Sequence, residues 1–231
     1  MNDYTIYYGL TFLAIAITFG AQLYIKATYS KYSRIANQAG ISGARTASEI
    51  LYNNDLSEIS VNQTPGYLSD HYNPQNRSVT LSQDNFSNHS IAAMAVAAHE
   101  CGHAIQDKEN YLFLKIRSSL VPAVNFSSYA GYFAITIGLL FSSYEIIWIG
   151  ILLECVILLF QLVTLPVEFD ASRRALLQLN DLGLAQGDDL NGAKAVLTAA
   201  ALTYVAGVAS ALLQVFRLIL LYGGRGNRDD R

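Results

Sequence analysis

Four stretches of this 231-residue chain are apolar and about as long as a bilayer is thick, which limits its folds more than any other feature. A helix needs about 20 such residues to cross the hydrocarbon core. The stretches are roughly 6–25, 121–141, 146–165 and 199–221. The first could be mistaken for a secretory signal. Its head, "MNDY", is acidic rather than basic, and no small-x-small cleavage site follows, so it reads as a retained anchor. The fourth is rich in small residues and carries Arg217.

Composition agrees. Hydrophobic residues make up 52% of the chain and charged ones only 14%, which fits neither an ordinary soluble domain nor a disordered one. The net charge of −3, with no basic patch interleaved with aromatics, argues against nucleic acid as a partner. The bilayer is the expected surroundings. Two cysteines, Cys101 and Cys155, provide no disulfide framework and suit a reducing compartment.

The spans divide the chain into an anchor (1–25), a polar block (26–120), a transmembrane hairpin (121–165), a second polar block (166–198), and a fourth span with its tail (199–231). In the first block, "SGARTASEILYNN" predicts a helix capped by Ser42 and stopped by the asparagine pair. "ISVNQ" predicts a short strand. "GYLSDHYNPQNRSVTLS" predicts two strands around a turn at Asn73-Pro74-Gln75-Asn76. A helix from about Ile91 to Gln106 follows, capped by Asn88 or Ser90.

Basic residues near span ends set orientation. Lys26, Lys31, Arg34, Lys115, Arg117, Arg173 and Arg174 all fall in the two polar blocks, so both blocks are expected in the cytoplasm. The tail "GGRGNRDDR" disagrees: four crossings would put its three arginines outside. Glu154 and Arg217 would then both lie in the outer half of the membrane, where they could pair.

The chemistry sits in "VAAHECGHAIQ". His99 and His103 are four apart, so on a helix both imidazoles share one face and can reach one ion. A catalytic zinc takes three protein ligands and keeps one position for water, whose pKa falls to about 7. Glu100 is placed to take that water's proton and deliver it to a leaving amine. The third ligand must come from the same side of the membrane. Two spans separate His103 from "LPVEFDASRRA", so the chain has returned to that side, and either Glu168 or Asp170 could complete the shell. Imidazole also suits iron, nickel and copper, but two imidazoles with a carboxylate favour zinc.

"VAAHECGHAIQ", "LSDHYNP", "RSSLVPAV", "LPVEFDASRRAL" and "VLTAAALTYVAG" together resemble the bacterial membrane zinc metallopeptidases of the YugP type, over most of the chain. The resemblance implies His99, His103 and Glu168 as zinc ligands and Glu100 as the catalytic residue. "EFDAS" also resembles the E-x-x-x-D helix of the Ste24/HtpX-like membrane peptidases, where the aspartate orients a ligand histidine. Here Ser172 occupies that position, and Asp170 is another candidate to hold the imidazoles.

His71, on the strand before the motif helix, could stabilise an oxyanion, and that strand could pair with extended substrate. His89 lies ten residues before His99, about 15 Å along a helix, too far to be a ligand. Cys101 falls on the helix face opposite the histidines and reads as a small buried residue.

The expected fold is mainly α: an integral membrane protein of about four transmembrane helices bearing a small zincin-like cytosolic domain with a short β-sheet. The expected function is a membrane-anchored zinc endopeptidase acting on peptides or membrane proteins at the cytosolic face. A site-2-type intramembrane protease ranks second, because "SQDNFSNHS" and "QDKEN" bracket an apolar length too short for a comfortable span. A scaffold with a structural metal is the non-enzymatic alternative; it would close the fourth position with a ligand such as His71 or Asp170. The sequence specifies no oligomeric state.

Overall fold

A computed structural model of the chain describes residues 3–222. The arginine-bearing tail whose side was in conflict lies outside the described residues. The elements in order are α1 (Asp3–Tyr32), α2 (Gly43–Asn53), β1 (Ser60–Thr64), β2 (His71–Asn73), β3 (Ser78–Ser82), α3 (Gln83–Ser87), α4 (Ile91–Lys108), α5 (Leu112–Leu140), α6 (Tyr144–Asp181) and α7 (Gly187–Tyr222). The described chain is therefore mainly helical, with one small sheet. Four helices, α1, α5, α6 and α7, are long and apolar enough to cross a membrane.

Several of these helices outrun the apolar stretches that predict them. α5 begins at Leu112 rather than 121, α6 continues past 165 to Asp181, and α7 begins at Gly187 rather than 199. Hydropathy marks where lipid can lie, whereas a helix continues while its backbone bonds and caps allow. α6 runs on through Pro166 and ends before Gly183, whose φ of 66° is the left-handed geometry that closes helices.

The chain forms two compact units. One comprises Met1–Ala21, Lys115–Leu165 and Thr203–Arg231. Its hairpin of α5 and α6 is closed by glycines. A methyl at Gly150 would lie 2.5 Å from Ile135 Cγ1, and one at Gly138 2.6 Å from Ile147 Cγ1. Small residues of this kind let apolar helices touch backbone to backbone. Thr18 and Ser210 join α1 to α7 by a 2.8 Å hydroxyl bond. Arg217 reaches Thr11 at 2.8 Å, bonds Gln214, and lies 4.8 Å from the Tyr7 ring. Its guanidinium thus engages hydroxyl, amide and aromatic groups; Glu154, which could pair with it, makes no direct ion pair with it, although the Arg217 charge acts on that carboxyl.

The other unit comprises Gln22–Leu114 and Pro166–Leu202. Its centre is α4, which Ser90 caps by accepting a hydrogen bond from Ala93 N at 3.1 Å. Six alanines, Ala92, Ala93, Ala95, Ala97, Ala98 and Ala104, are buried along it, so neighbours can approach closely all round. α2 packs Ala47, Ile50 and Leu51 into the same core, and β3 adds Val79 and Leu81. Fully burying each larger aliphatic contributes about 1.5–3 kcal/mol. From α6 come Val167, Ala171, Ala175 and Leu179, all fully buried. Their spacing of four puts them on one face, while Phe169 and Leu177 on other faces are exposed.

The sheet has the order β1-β3-β2. β2 and β3 form the expected antiparallel pair around the 74–77 turn, with Tyr72 opposite Val79. β1 pairs with β3 in parallel, with Val61 opposite Val79, so β2 is left at an edge. The sequence predicts these strands but not their order.

Candidate metal centre

α4 supplies two of the candidate groups. His99 is partly exposed, whereas Glu100 and His103 are buried at 7% and 8% exposure. Gly102 is what lets α6 approach them. A methyl there would collide with the backbone carbonyl of Ala171. Cys101 points elsewhere: it is fully buried, with its thiol 3.6 Å from the Ala47 carbonyl oxygen, and burial pushes its pKa up. The two residues between Glu100 and His103 are therefore small for separate reasons, one for each neighbour of the helix.

α6 supplies Glu168, one residue beyond Val167 on the buried face. Its Oε2 lies 3.3 Å from His99 Nε2 and 3.7 Å from His103 Nε2. One ligand atom from each of His99, His103 and Glu168 lies within 4.8 Å of the others. Ligands about 2.1 Å from a tetrahedral zinc stand about 3.4 Å apart, so these separations suit a shared ion. Among the described residues, this is the group of metal-ligating side chains that comes together.

The imidazoles are held from behind, each by a different group. Ser172 Oγ lies 3.2 Å from His99 Nδ1. Gln106 Oε1 lies 3.0 Å from His103 Nδ1. Gln106 in turn donates to the Val167 carbonyl at 2.8 Å and to Asp170 Oδ2 at 3.0 Å. Asp170 also accepts from Arg173 and from Arg174 Nε, each at 2.5 Å, and Arg174 pairs with Glu109 at 2.6 Å. Asp170 is thus turned toward Gln106 and the arginines, one step removed from the imidazoles. Gln106 is the residue that sequence reasoning missed. The available signal was its position three after His103, on nearly the same helix face.

Electrostatics follow from burial and charge. Burial raises the Glu100 pKa; His99 and His103 oppose that, while Glu168 and Asp70 add to it. For His103, burial works to lower the pKa, but the Glu168 and Glu100 carboxylates and Gln106 outweigh it and the value is raised.

The remaining candidates lie outside the cluster. His71 is exposed at the start of β2, with Nδ1 2.9 Å from the Ser69 carbonyl oxygen. Its neighbour Asp70 accepts from Ser82 N at 2.7 Å and from Asn85 Nδ2 at 2.9 Å, which pins the entry to β2. Tyr72 donates to Asp107 Oδ2 at 2.9 Å, which ties β2 to α4. His89 is exposed, and its carbonyl accepts from Asn37.

Fold and site together define a class: a mainly helical protein with four helices apolar enough to cross a membrane, in which two histidines of an HExxH helix meet a carboxylate from α6. The chain belongs to the family described as "Putative neutral zinc metallopeptidase", which matches residues 7–223. It is 40% identical over 213 residues to the "Putative membrane protease YugP" of Bacillus subtilis (strain 168), covering 92% of this chain and 95% of that one. No solved structure matches the chain.

Proposed function

We propose that this protein is a membrane-anchored zinc endopeptidase that hydrolyses peptide bonds at the cytoplasmic membrane surface. The observation that carries this reading is the convergence of His99, His103 and Glu168. Zinc held by these three would supply a water acidified to a pKa of about 7 and a positive centre for the scissile carbonyl.

The chain's own groups do the rest. His99 and His103 would each present one ring nitrogen to the ion, oriented from the other by Ser172 and Gln106. Glu168 brings the negative charge that offsets a dication in a buried place. Glu100 takes the proton of the attacking water and returns it to the leaving amine. Burial raises its pKa above the ordinary carboxylate value, which strengthens it as a proton acceptor. Asp170 is committed to Gln106, Arg173 and Arg174, which favours an open fourth position over the closed shell of a structural zinc.

The edge position of β2 supports the pairing of an extended peptide or an unwound membrane-protein segment along it. His71 is our candidate for stabilising the oxyanion. Donating from Nδ1 to Ser69 leaves a neutral ring only a lone pair at Nε2, so this role requires the imidazolium.

The cytoplasmic assignment rests on the seven basic residues in the polar blocks. The membrane-surface reading is favoured over intramembrane proteolysis because α4 is not among the four membrane-length apolar helices and lies within an alanine-rich protein core.

The test is metal content of detergent-purified wild type beside Glu168→Ala, Asp170→Ala and Glu100→Gln. One zinc per chain is expected, lost in Glu168→Ala and kept in the other two. Retention in Glu168→Ala would overturn the ligand set. Zinc without hydrolysis of any unfolded protein substrate would favour the scaffold.

A further inference from the structure

Gln106 is fully buried, so no solvent can satisfy its amide. Its three polar contacts fix which way that amide points. The Val167 carbonyl only accepts. The Asp170 carboxylate, between Arg173 and Arg174, is held ionised by them and also only accepts. The amide nitrogen must therefore face these two, and Oε1 must face His103 Nδ1. An amide oxygen cannot donate, so Nδ1 carries the hydrogen. The other ring nitrogen, Nε2, faces Glu168, and in the neutral ring it is the one that carries the lone pair.

We infer that Gln106 is a positioning residue that selects the His103 tautomer able to bind a cation, with its own direction set by Val167 and Asp170. This rests on the metal-centre reading above. The usual partner behind a metal-bound histidine is a carboxylate, a backbone carbonyl or water. Here a carboxylate would be wrong, because a glutamate at 106 would set its lone pairs against those of Val167 and Asp170. A neutral amide accepts on one side and donates on the other. Asp170 therefore acts on the histidine through Gln106, and Arg174 acts at one further remove.

The polarity can be reversed, which makes the inference testable. Gln106→Glu loses both donors. In Gln106→Glu/Asp170→Asn, the new asparagine can donate to the new carboxylate, whose second oxygen still accepts from His103; the clash at residue 170 is removed and only the one with the Val167 carbonyl stays. Zinc affinity is measured by chelator competition in the purified full chain, with helical content and melting of the metal-free protein recorded alongside. Gln106→Glu is expected to weaken zinc about 10- to 100-fold, and the double variant to recover part of that loss. Wild-type affinity in Gln106→Glu, or a loss that the double variant does not recover, would overturn the inference. A wild type that binds no zinc would instead overturn the metal-centre reading, and this inference with it. Nitrogen-15 spectra of the zinc-loaded wild type give a readout independent of any variant. The expected pattern has His103 protonated at Nδ1 and metal-bound at Nε2; the opposite assignment rejects the inference.

Discussion

The Ser172 hydroxyl lies 3.2 Å from Nδ1 of His99, so a single turn of α6 carries both Glu168 and the group that steadies the histidine opposite it. A hydroxyl can accept from Nδ1–H as a carboxylate would, but without its charge. Removing it by Ser172→Ala should weaken zinc binding by about tenfold, the lower end of effects seen for such outer partners. Ser172→Asp restores the arrangement of the E-x-x-x-D peptidases and should bind zinc at least as tightly as wild type. Chelator competition on the three proteins checks both. Equal affinity in all three would mean that His99 needs no partner at Nδ1.

Glu100 should separate binding from chemistry. It is absent from the group that meets around the candidate ion, yet it is buried and lies in the field of both histidines. Glu100→Gln removes the proton acceptor and keeps the shape. Zinc content should stay at one per chain, while hydrolysis of a fluorogenic protein substrate falls by at least about 100-fold. Loss of zinc in this variant would place Glu100 among the ligands.

The metal-free protein should lose stability as pH rises. The folded pKa of His103 is raised above its ordinary 6.5, so protonation favours the folded state. That contribution is present in full below about pH 6.5 and is lost as pH rises through the raised value. Glu100 acts in the same direction: its folded pKa is also raised, so above its ordinary 4.5 the unfolded chain gives up the proton first. Zinc uptake expels the His103 proton, so its affinity should climb over the same range. Urea unfolding of the metal-free protein at pH 6, 7 and 8, with zinc titrations at each, checks both trends. Stability that increases across this range would contradict the raised His103.

What could be read from the sequence was local or countable. Ser42 and Ser90 cap the helices that their positions predict, because a cap acts within one turn. His99 and His103 share a face because a helix has one period. Glu168 could be proposed because counting spans puts it on the correct side, and the structure brings it to both histidines. The parts that were missed depend on contacts between elements. Gln106 looks like any glutamine at the end of a helix until Val167 and Asp170 face it. Asp170 is a plausible ligand by position alone, and only its commitment to Gln106 and the arginines assigns it otherwise. The parallel pairing of β1 with β3 carries no mark in either strand.

Gly102 gives the most direct test of how the motif helix and α6 are held together. Its Cα faces the backbone of Ala171, and a methyl there would overlap that carbonyl. Neither partner is a flexible side-chain end, so Gly102→Ala can be accommodated only by moving one helix away from the other. Overpacking of this kind costs about 1–3 kcal/mol. Glu168 lies three residues before Ala171 on the displaced helix, so its carboxylate should also move away from His99 and His103. The variant is expected to melt at a lower temperature without metal and to bind zinc more weakly than wild type. Cys101→Ala is the control: it alters a fully buried neighbour that packs toward Ala47, away from α6. It should cost some stability while leaving zinc affinity within about twofold, the scale expected when a substitution leaves the ligand set in place. If Gly102→Ala lowers stability but leaves zinc affinity untouched, then Glu168 is not held by the close approach of these two helices.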